Sequence, residues 1–196
     1  DIPMDVSKAA YDNNSDAYDD FPEGEHYLQL SQTEKDMVDM VCDNFDDVIV
    51  IYNGANQFEL GFTDEYPQIK SVVWCPGTGN VGFNALGKVF SGEVNPSGKT
   101  PDTFIYDMTT APWWNNGEKI EYTNLADMAV EGMNAGSPQV YAPAFTNYVE
   151  GIYVGYKYYE TAAQEGFIDY DKTVQYPFGY GLSYTEFEQK MGELEE

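Results

Sequence analysis

Three short stretches of this sequence have residue types and spacings that could do chemistry. The first is Gly77-Thr78-Gly79-Asn80-Val81-Gly82, a literal G-x-G-x-x-G. After a strand and before a helix, such a run can hold a dinucleotide pyrophosphate on backbone N–H groups. Asp102 and Asp107 lie where a carboxylate for the ribose would stand. Against this, a helix and a strand precede the motif, so it does not open a Rossmann unit. The competing reading is structural: Gly77, Gly79 and Gly82 permit a sharp strand-to-helix turn. The second stretch is Gly98-Lys99-Thr100. It lacks the spacing of a phosphate loop, and Pro101 blocks the helix that a phosphate cradle needs behind it. The third is Trp113-Trp114, whose flat indoles could stack on a sugar ring or anchor a loop on the core.

Metal and cofactor chemistry finds little support. The chain has one histidine, His26, and two cysteines, Cys42 and Cys75, without zinc-ligand spacing. The cysteines read as buried free thiols, and His26, after the acidic Glu23-Gly24-Glu25 turn, as a surface or packing residue. No cofactor and no metal are expected. Thirty-four acidic residues stand against nine basic ones, all lysine, for a net charge of −25. Such a charge repels phosphate backbones and anionic lipid, which argues against nucleic-acid and membrane-surface partners. Glu23, Glu25, Glu59, Asp64 and Glu65 read as surface charges.

Stepping along the chain, residues 1–26 are polar and read as an extended loop. Ser31-Gln32-Thr33-Glu34 is a capping box, and Met37, Val38, Val41, Cys42 and Phe45 follow at helical spacing. The apolar run Val48–Tyr52 predicts a parallel strand buried on both faces. Ser71–Cys75 predicts a second strand, Val81–Phe90 a short helix and Asp102–Tyr106 a third strand. This order marks an α/β sheet. Residues 108–147 show no sustained period, and Ile152–Tyr159 alternates as an extended segment would. Residues 188–196 read as a tail or linker after a domain spanning 1–187.

Four segments in order resemble the C-terminal α/β domain of family 3 glycoside hydrolases. They run Trp74-Cys-Pro-Gly-Thr-Gly-Asn-Val-Gly-Phe-Asn-Ala85, Val94-Asn-Pro-Ser-Gly-Lys-Thr-Pro-Asp-Thr-Phe104, Gly151-Ile-Tyr-Val-Gly-Tyr-Lys-Tyr-Tyr159 and Tyr176-Pro-Phe-Gly-Tyr-Gly-Leu-Ser-Tyr-Thr185. The second and fourth combine Gly/Pro turns with aromatics in a way that rarely arises by chance. Lys157 departs from the arginine usual in the family.

The resemblance implies a mostly parallel sheet sandwiched between helices, of which this chain holds the later half. The missing barrel domain and the first half of the α/β domain are then expected partners, in the same polypeptide or in another chain. It further implies retaining, exo-acting hydrolysis of a terminal β-linked glucoside or oligosaccharide. That chemistry needs two carboxyl groups about 5–5.5 Å apart. The family's nucleophile is an aspartate on a separate barrel domain. Its acid/base is a glutamate in a Gly-Glu-Gly-x-Asp-type motif, and the favoured alignment makes Asp1 that motif's aspartate, with the glutamate three residues before it. A second alignment puts Ser15 or Asp16 near the acid/base position, where only Asp16 could act. Asp1, Asp16, Trp113 and Trp114 are thus the candidates for residues near the substrate. Alternatives are a non-catalytic carbohydrate-binding or structural domain, and a dinucleotide-binding domain using Gly77, Gly79 and Gly82. Secretion or display at a bacterial cell surface is the expected location.

Overall fold

A computed structural model describes residues 20–22, 25–26, 28–114, 125–134, 136–141, 148–186, 188 and 190–193. Helix α1 (Gln32–Asn44) starts where the capping box places it. Ser31 Oγ accepts the Glu34 N–H at 3.3 Å, and the Glu34 carboxylate accepts the Ser31 N–H at 2.9 Å. Asp20 adds a further cap, accepting the Thr33 N–H at 3.0 Å. Its carboxyl is held below the usual range by the hydrogen bond with Ser31 and then by that from Thr33. One helix start thus receives two acceptors for its unpaired N–H groups.

Strands β1 (Val48–Tyr52) and β2 (Ile69–Trp74) pair in parallel, with Ile49 opposite Ser71 and Tyr52 opposite Trp74. The crossover between them carries a 3₁₀ turn at Gly61–Asp64. Helix α2 (Phe83–Phe90) follows β2. Strand β3 (Phe104–Ile105) comes next, then a 3₁₀ turn at Met108–Thr110 and the short helix α3 (Leu125–Met128). Strands β4 (Val130–Asn134) and β5 (Ser137–Tyr141) form an antiparallel hairpin. Helices α4 (Tyr156–Gln164) and α5 (Tyr170–Thr173) precede β6 (Val174–Tyr176).

The architecture is α/β, but the expected mostly parallel sheet needs correction among the described residues. β1 and β2 form a parallel pair, whereas β3 pairs antiparallel with β6, and β4 with β5. The Asp102–Tyr106 segment therefore joins a partner some seventy residues downstream instead of extending the β1–β2 ladder. Packing explains the choice. Phe104 and Ile105 are almost wholly buried, Ile105 in a core that gathers Leu28, Met108, Ala111, Tyr159 and Val174, and Phe104 against Trp74 and Tyr176.

Three further expectations change. Ile152–Tyr159 is not extended throughout: after Gly155 the chain turns into α4, whose Tyr159 and Ala162 face inward one turn apart. The region read as irregular contains the β4–β5 hairpin. β1 is buried on neither face completely: Ile49 and Ile51, on one face, stay 49% and 42% exposed, and Val48, Val50 and Tyr52, on the other, are only half-buried. Met37, Met40 and Phe45 of the α1 segment are exposed as well. Between α1 and β1 lies an open apolar cavity of about 270 Å³, lined by residues such as Val38, Val41, Cys42, Val50 and Leu60.

Candidate functional site

The carboxyl ends of parallel strands are where open α/β sheets place their ligands. Here those ends are cross-tied. The Asn53 side-chain amide donates to the Cys75 carbonyl at 2.6 Å, and the Trp74 indole N–H donates to the Gly54 carbonyl at 2.8 Å. The glycine motif begins one residue beyond Pro76. Gly77 and Gly79 adopt φ of +46° and +57°, and a Cβ on Gly82 would lie 2.3 Å from the Thr78 carbonyl oxygen. Positive φ and close backbone approach account for all three glycines. The following helix has eight residues, and none of them is buried.

The two most distinctive sequence segments, eighty residues apart, close on each other. Thr100 and Tyr180 exchange backbone and side-chain bonds: Thr100 N–H to Tyr180 O at 2.7 Å, Tyr180 N–H to Thr100 Oγ1 at 2.9 Å. The Thr100 hydroxyl donates to the Pro177 carbonyl at 2.7 Å, and Gly179 N–H donates to the Thr100 carbonyl at 2.8 Å. Lys99 Nζ donates to the Gly181 carbonyl. A side chain at 181 would strike the Gly98 carbonyl, 2.3 Å from its Cβ. Farther along, Asn95 accepts from the Ser183 hydroxyl at 3.0 Å and the Tyr184 N–H at 2.8 Å. Lysine, threonine and glycine at 98–100 therefore clamp a loop, and the clamp uses the Lys99 and Thr100 donors that a phosphate would need.

Trp113 and Trp114 are half-buried, with ring centroids 6.0 Å apart, and both pack against the main core cluster. Trp114 also meets His26, centroid to centroid 4.7 Å. Asp1 and Asp16 lie outside the described residues. Among the described residues no cluster of three or more His, Cys, Asp or Glu could hold a metal ion.

Several side chains read as surface charges have specific partners. His26 is 3% exposed, and its Nε2 lies 3.3 Å from Glu59 Oε1. The same oxygen accepts the Met108 N–H at 2.6 Å. Asp64 accepts from the Tyr106 hydroxyl at 2.8 Å, which together with burial pushes that phenol up to about 12. The Tyr170 hydroxyl donates to Glu160 at 2.7 Å and is likewise pushed up to about 12, by burial first. In a chain this poor in cations, phenols serve as donors to carboxylates. Tyr159 is raised further, by burial and then by the nearby Asp102 charge. No local sequence signal marks the His26–Glu59 pair, since its two members are 33 positions apart.

Comparison with known proteins places these features in a lineage. Residues 5–156 match the family model described as the glycosyl hydrolase family 3 C-terminal domain. A beta-glucosidase of Ruminococcus albus is 35% identical over 161 residues, covering 81% of this chain and 14% of that protein. Beta-glucosidase A of Butyrivibrio fibrisolvens is 36% identical over 169 residues, covering 85% and 17% respectively. The chain thus spans less than a fifth of either relative. Among solved structures, a beta-glucosidase from Paenibacillus barengoltzii superposes with a TM-score of 0.59 at 29% identity, over 80% of this chain and 14% of that one. The beta-D-glucoside glucohydrolase of Trichoderma reesei gives 0.55 at 27%, over 85% and 19%. With the family model covering more than three quarters of its length, the chain belongs to the glycosyl hydrolase family 3 C-terminal domain family.

Proposed function

We propose that this chain is the later part of the C-terminal α/β domain of a retaining, exo-acting β-glucosidase-like enzyme. The observation that carries the reading is its identity of 35–36% with two beta-glucosidases over more than four fifths of its length. In such a reaction one carboxylate attacks the anomeric carbon as the glycosidic bond breaks. A second carboxyl group protonates the leaving oxygen, then deprotonates the water that releases the sugar. On this reading the nucleophile is an aspartate of a barrel domain, and the acid/base is a glutamate three residues before Asp1. Asp16 is the weaker candidate for that second role. The substrate is a terminal β-linked glucoside or oligosaccharide.

The described fold supports a shared domain. β1 carries exposed Ile49 and Ile51, and α1 leaves Met37 and Met40 exposed beside an apolar cavity. A two-stranded parallel pair with apolar side chains left exposed is unusual, because parallel sheets normally have both faces covered. Strands and helices of the domain's first half would extend this pair into a helix-sandwiched sheet.

The test is release of nitrophenol from an aryl β-glucoside. Turnover is expected when the chain is joined to the barrel portion and not from the chain alone. Turnover by the chain alone would overturn the placement of the catalytic pair. Sugar binding by the chain alone without turnover from the joined protein would favour a carbohydrate-binding module. Thermal stabilisation by NAD would favour a dinucleotide site at Gly77–Gly82.

A further inference from the structure

The proposed reaction leaves one buried ionisable pair unused. Glu59 is mostly buried, with a side chain 14% exposed, and His26 more so, with a side chain 4% exposed. Three stretches of chain converge on this pair. The Glu59 N–H donates to the Leu28 carbonyl at 2.8 Å, which ties the 57–60 segment to the residues before α1. The Glu59 carboxylate accepts the Met108 N–H at 2.6 Å and stands 3.3 Å from His26 Nε2. Met108 begins a run of tight turns, with Ala111 N–H donating to Met108 O and Trp114 N–H to Ala111 O, each at 3.1 Å. The imidazole then lies against the Trp114 ring at 4.7 Å, tilted by 54°. One carboxylate therefore fixes the start of the turn that carries both indoles, and the histidine it holds fixes the second indole.

Packing alone does not call for these residue types. Burying an imidazole and a carboxylate carries a desolvation cost that an apolar pair of the same volume would not. Neither His26 ring nitrogen makes a hydrogen bond among the described residues, although Nε2 stands 3.3 Å from Glu59 Oε1. Unsatisfied buried polar atoms are rare and call for an explanation. What the arrangement provides is placement: one carboxylate oxygen takes a backbone amide by a hydrogen bond and keeps an imidazole in close polar contact, which a hydrocarbon cannot do. Trp113 and Trp114 are held on one side by the core and remain partly exposed on the other. A sugar ring rests on an aromatic face of this kind only if the face is held at a fixed angle.

We propose that His26 and Glu59 are positioning residues that set the Trp113–Trp114 surface against which the sugar ring of the substrate rests. The inference rests on the β-glucosidase-like reading. Its signature is a change in KM without a matching change in kcat, because the pair acts on binding and not on the reacting carboxylates.

The experiment uses the chain joined to the barrel portion, with an aryl β-glucoside as probe. His26→Ala, Glu59→Gln and Trp114→Ala are each expected to raise KM about three- to tenfold while kcat stays within about twofold. Trp114→Phe should recover most of that loss. The double variant His26→Ala/Trp114→Ala should be no worse than Trp114→Ala, because the histidine acts through the indole. A variant that folds poorly loses active protein, which lowers kcat and leaves KM in place; near-UV circular dichroism identifies it. If His26→Ala is such a variant, Glu59→Gln, which keeps an acceptor for the Met108 amide, carries the test. Unchanged KM in these variants, or additive effects in the double variant, would overturn the inference while leaving the function standing. An inactive parent protein would overturn both.

Discussion

The two ladders that frame the molecule make a useful contrast. β1–β2 is the longer and more continuously apolar, yet Ile49 and Ile51 remain about half exposed. β3–β6 is a ladder of two registered pairs, yet Phe104 and Ile105 are 1% and 0% exposed. An apolar run records what a strand needs to bury and says nothing of what covers it. β3 is covered because four separate segments return to it, bringing Leu28, Met108, Tyr159 and Val174. Among the described residues no comparable set returns to the outer side of β1. Phe104 also reaches across to the other ladder, edge-on to Trp74 at 5.1 Å, while it meets Tyr176 of its own ladder edge-on at 6.3 Å.

The contrast can be broken most forcefully at Phe104. Phe104→Ala is expected to destabilise the chain by about 3–5 kcal/mol, the range for large-to-small changes in a filled core. Ile51→Ala, although in the more apolar strand, should cost less than about 1.5 kcal/mol, because much of its side chain already meets solvent. Urea unfolding of the two variants compares them directly. Equal losses would mean that β1 is as well covered as β3.

A smaller effect is expected where the Gly98–Thr100 loop meets the Pro177–Gly181 loop. Thr100→Val keeps the shape and removes a hydroxyl that both donates to Pro177 O and accepts from Tyr180 N–H. The Pro177 carbonyl and Tyr180 amide would each lose one partner but keep their 3.1 Å bond to each other, so the cost should be about 1 kcal/mol. Amide hydrogen exchange at Tyr180 should accelerate if this clamp is what closes the β6 end.

How much of this contrast is legible in the sequence follows from the range of each interaction. The α1 start is read correctly because the capping box is local: Ser31 and Glu34 are three residues apart and satisfy each other. β1 and the end of β2 at Pro76 are local for the same reason. The antiparallel partner of β3 is not legible, since nothing in Asp102–Tyr106 specifies Val174–Tyr176. The Tyr-rich run before 159 fits both an extended segment and a helix, and burial of Tyr159 and Ala162 decides for the helix. At the candidate site, the indoles can be named from sequence but not their support. Glu59 reads as a surface charge and His26 as a surface or packing residue, and only the fold brings them together. Asp1 and Asp16, candidates for residues near the substrate, lie outside the described residues.

A third test uses the open side of β1. Ile51→Lys should leave stability within about 0.5 kcal/mol, the usual range for substitutions away from packed features. The same change should suppress association of the isolated chain, because a lysine on an exposed strand discourages edge pairing. Sedimentation at increasing concentration measures this. A large loss of stability would show that β1 is covered after all.

A further expected effect concerns a bond that joins the two regions. Tyr106 follows β3, its N–H donates to the Thr173 carbonyl beside β6 at 3.1 Å, and its hydroxyl reaches Asp64 in the β1–β2 crossover. The folded phenol loses its proton near pH 12, while the unfolded one does so near 10. Below pH 10 both states are protonated, so the contribution of this bond is fully present. As pH rises from 10 to 12 the unfolded state releases its proton first, and the contribution is progressively lost. Tyr106→Phe removes this dependence and should flatten the fall of the urea midpoint across that window. It should not abolish the fall, because Tyr66 and Tyr170 are also raised to about 12 by carboxylate partners and burial. At pH 7 the variant should lose only about 1 kcal/mol or less, because the bond is partly open to water. Parallel slopes for parent and variant between pH 10 and 12 would mean that the phenol is neither buried nor held by Asp64 in solution. The two ladders would then communicate through the Trp74–Phe104 contact without this second link.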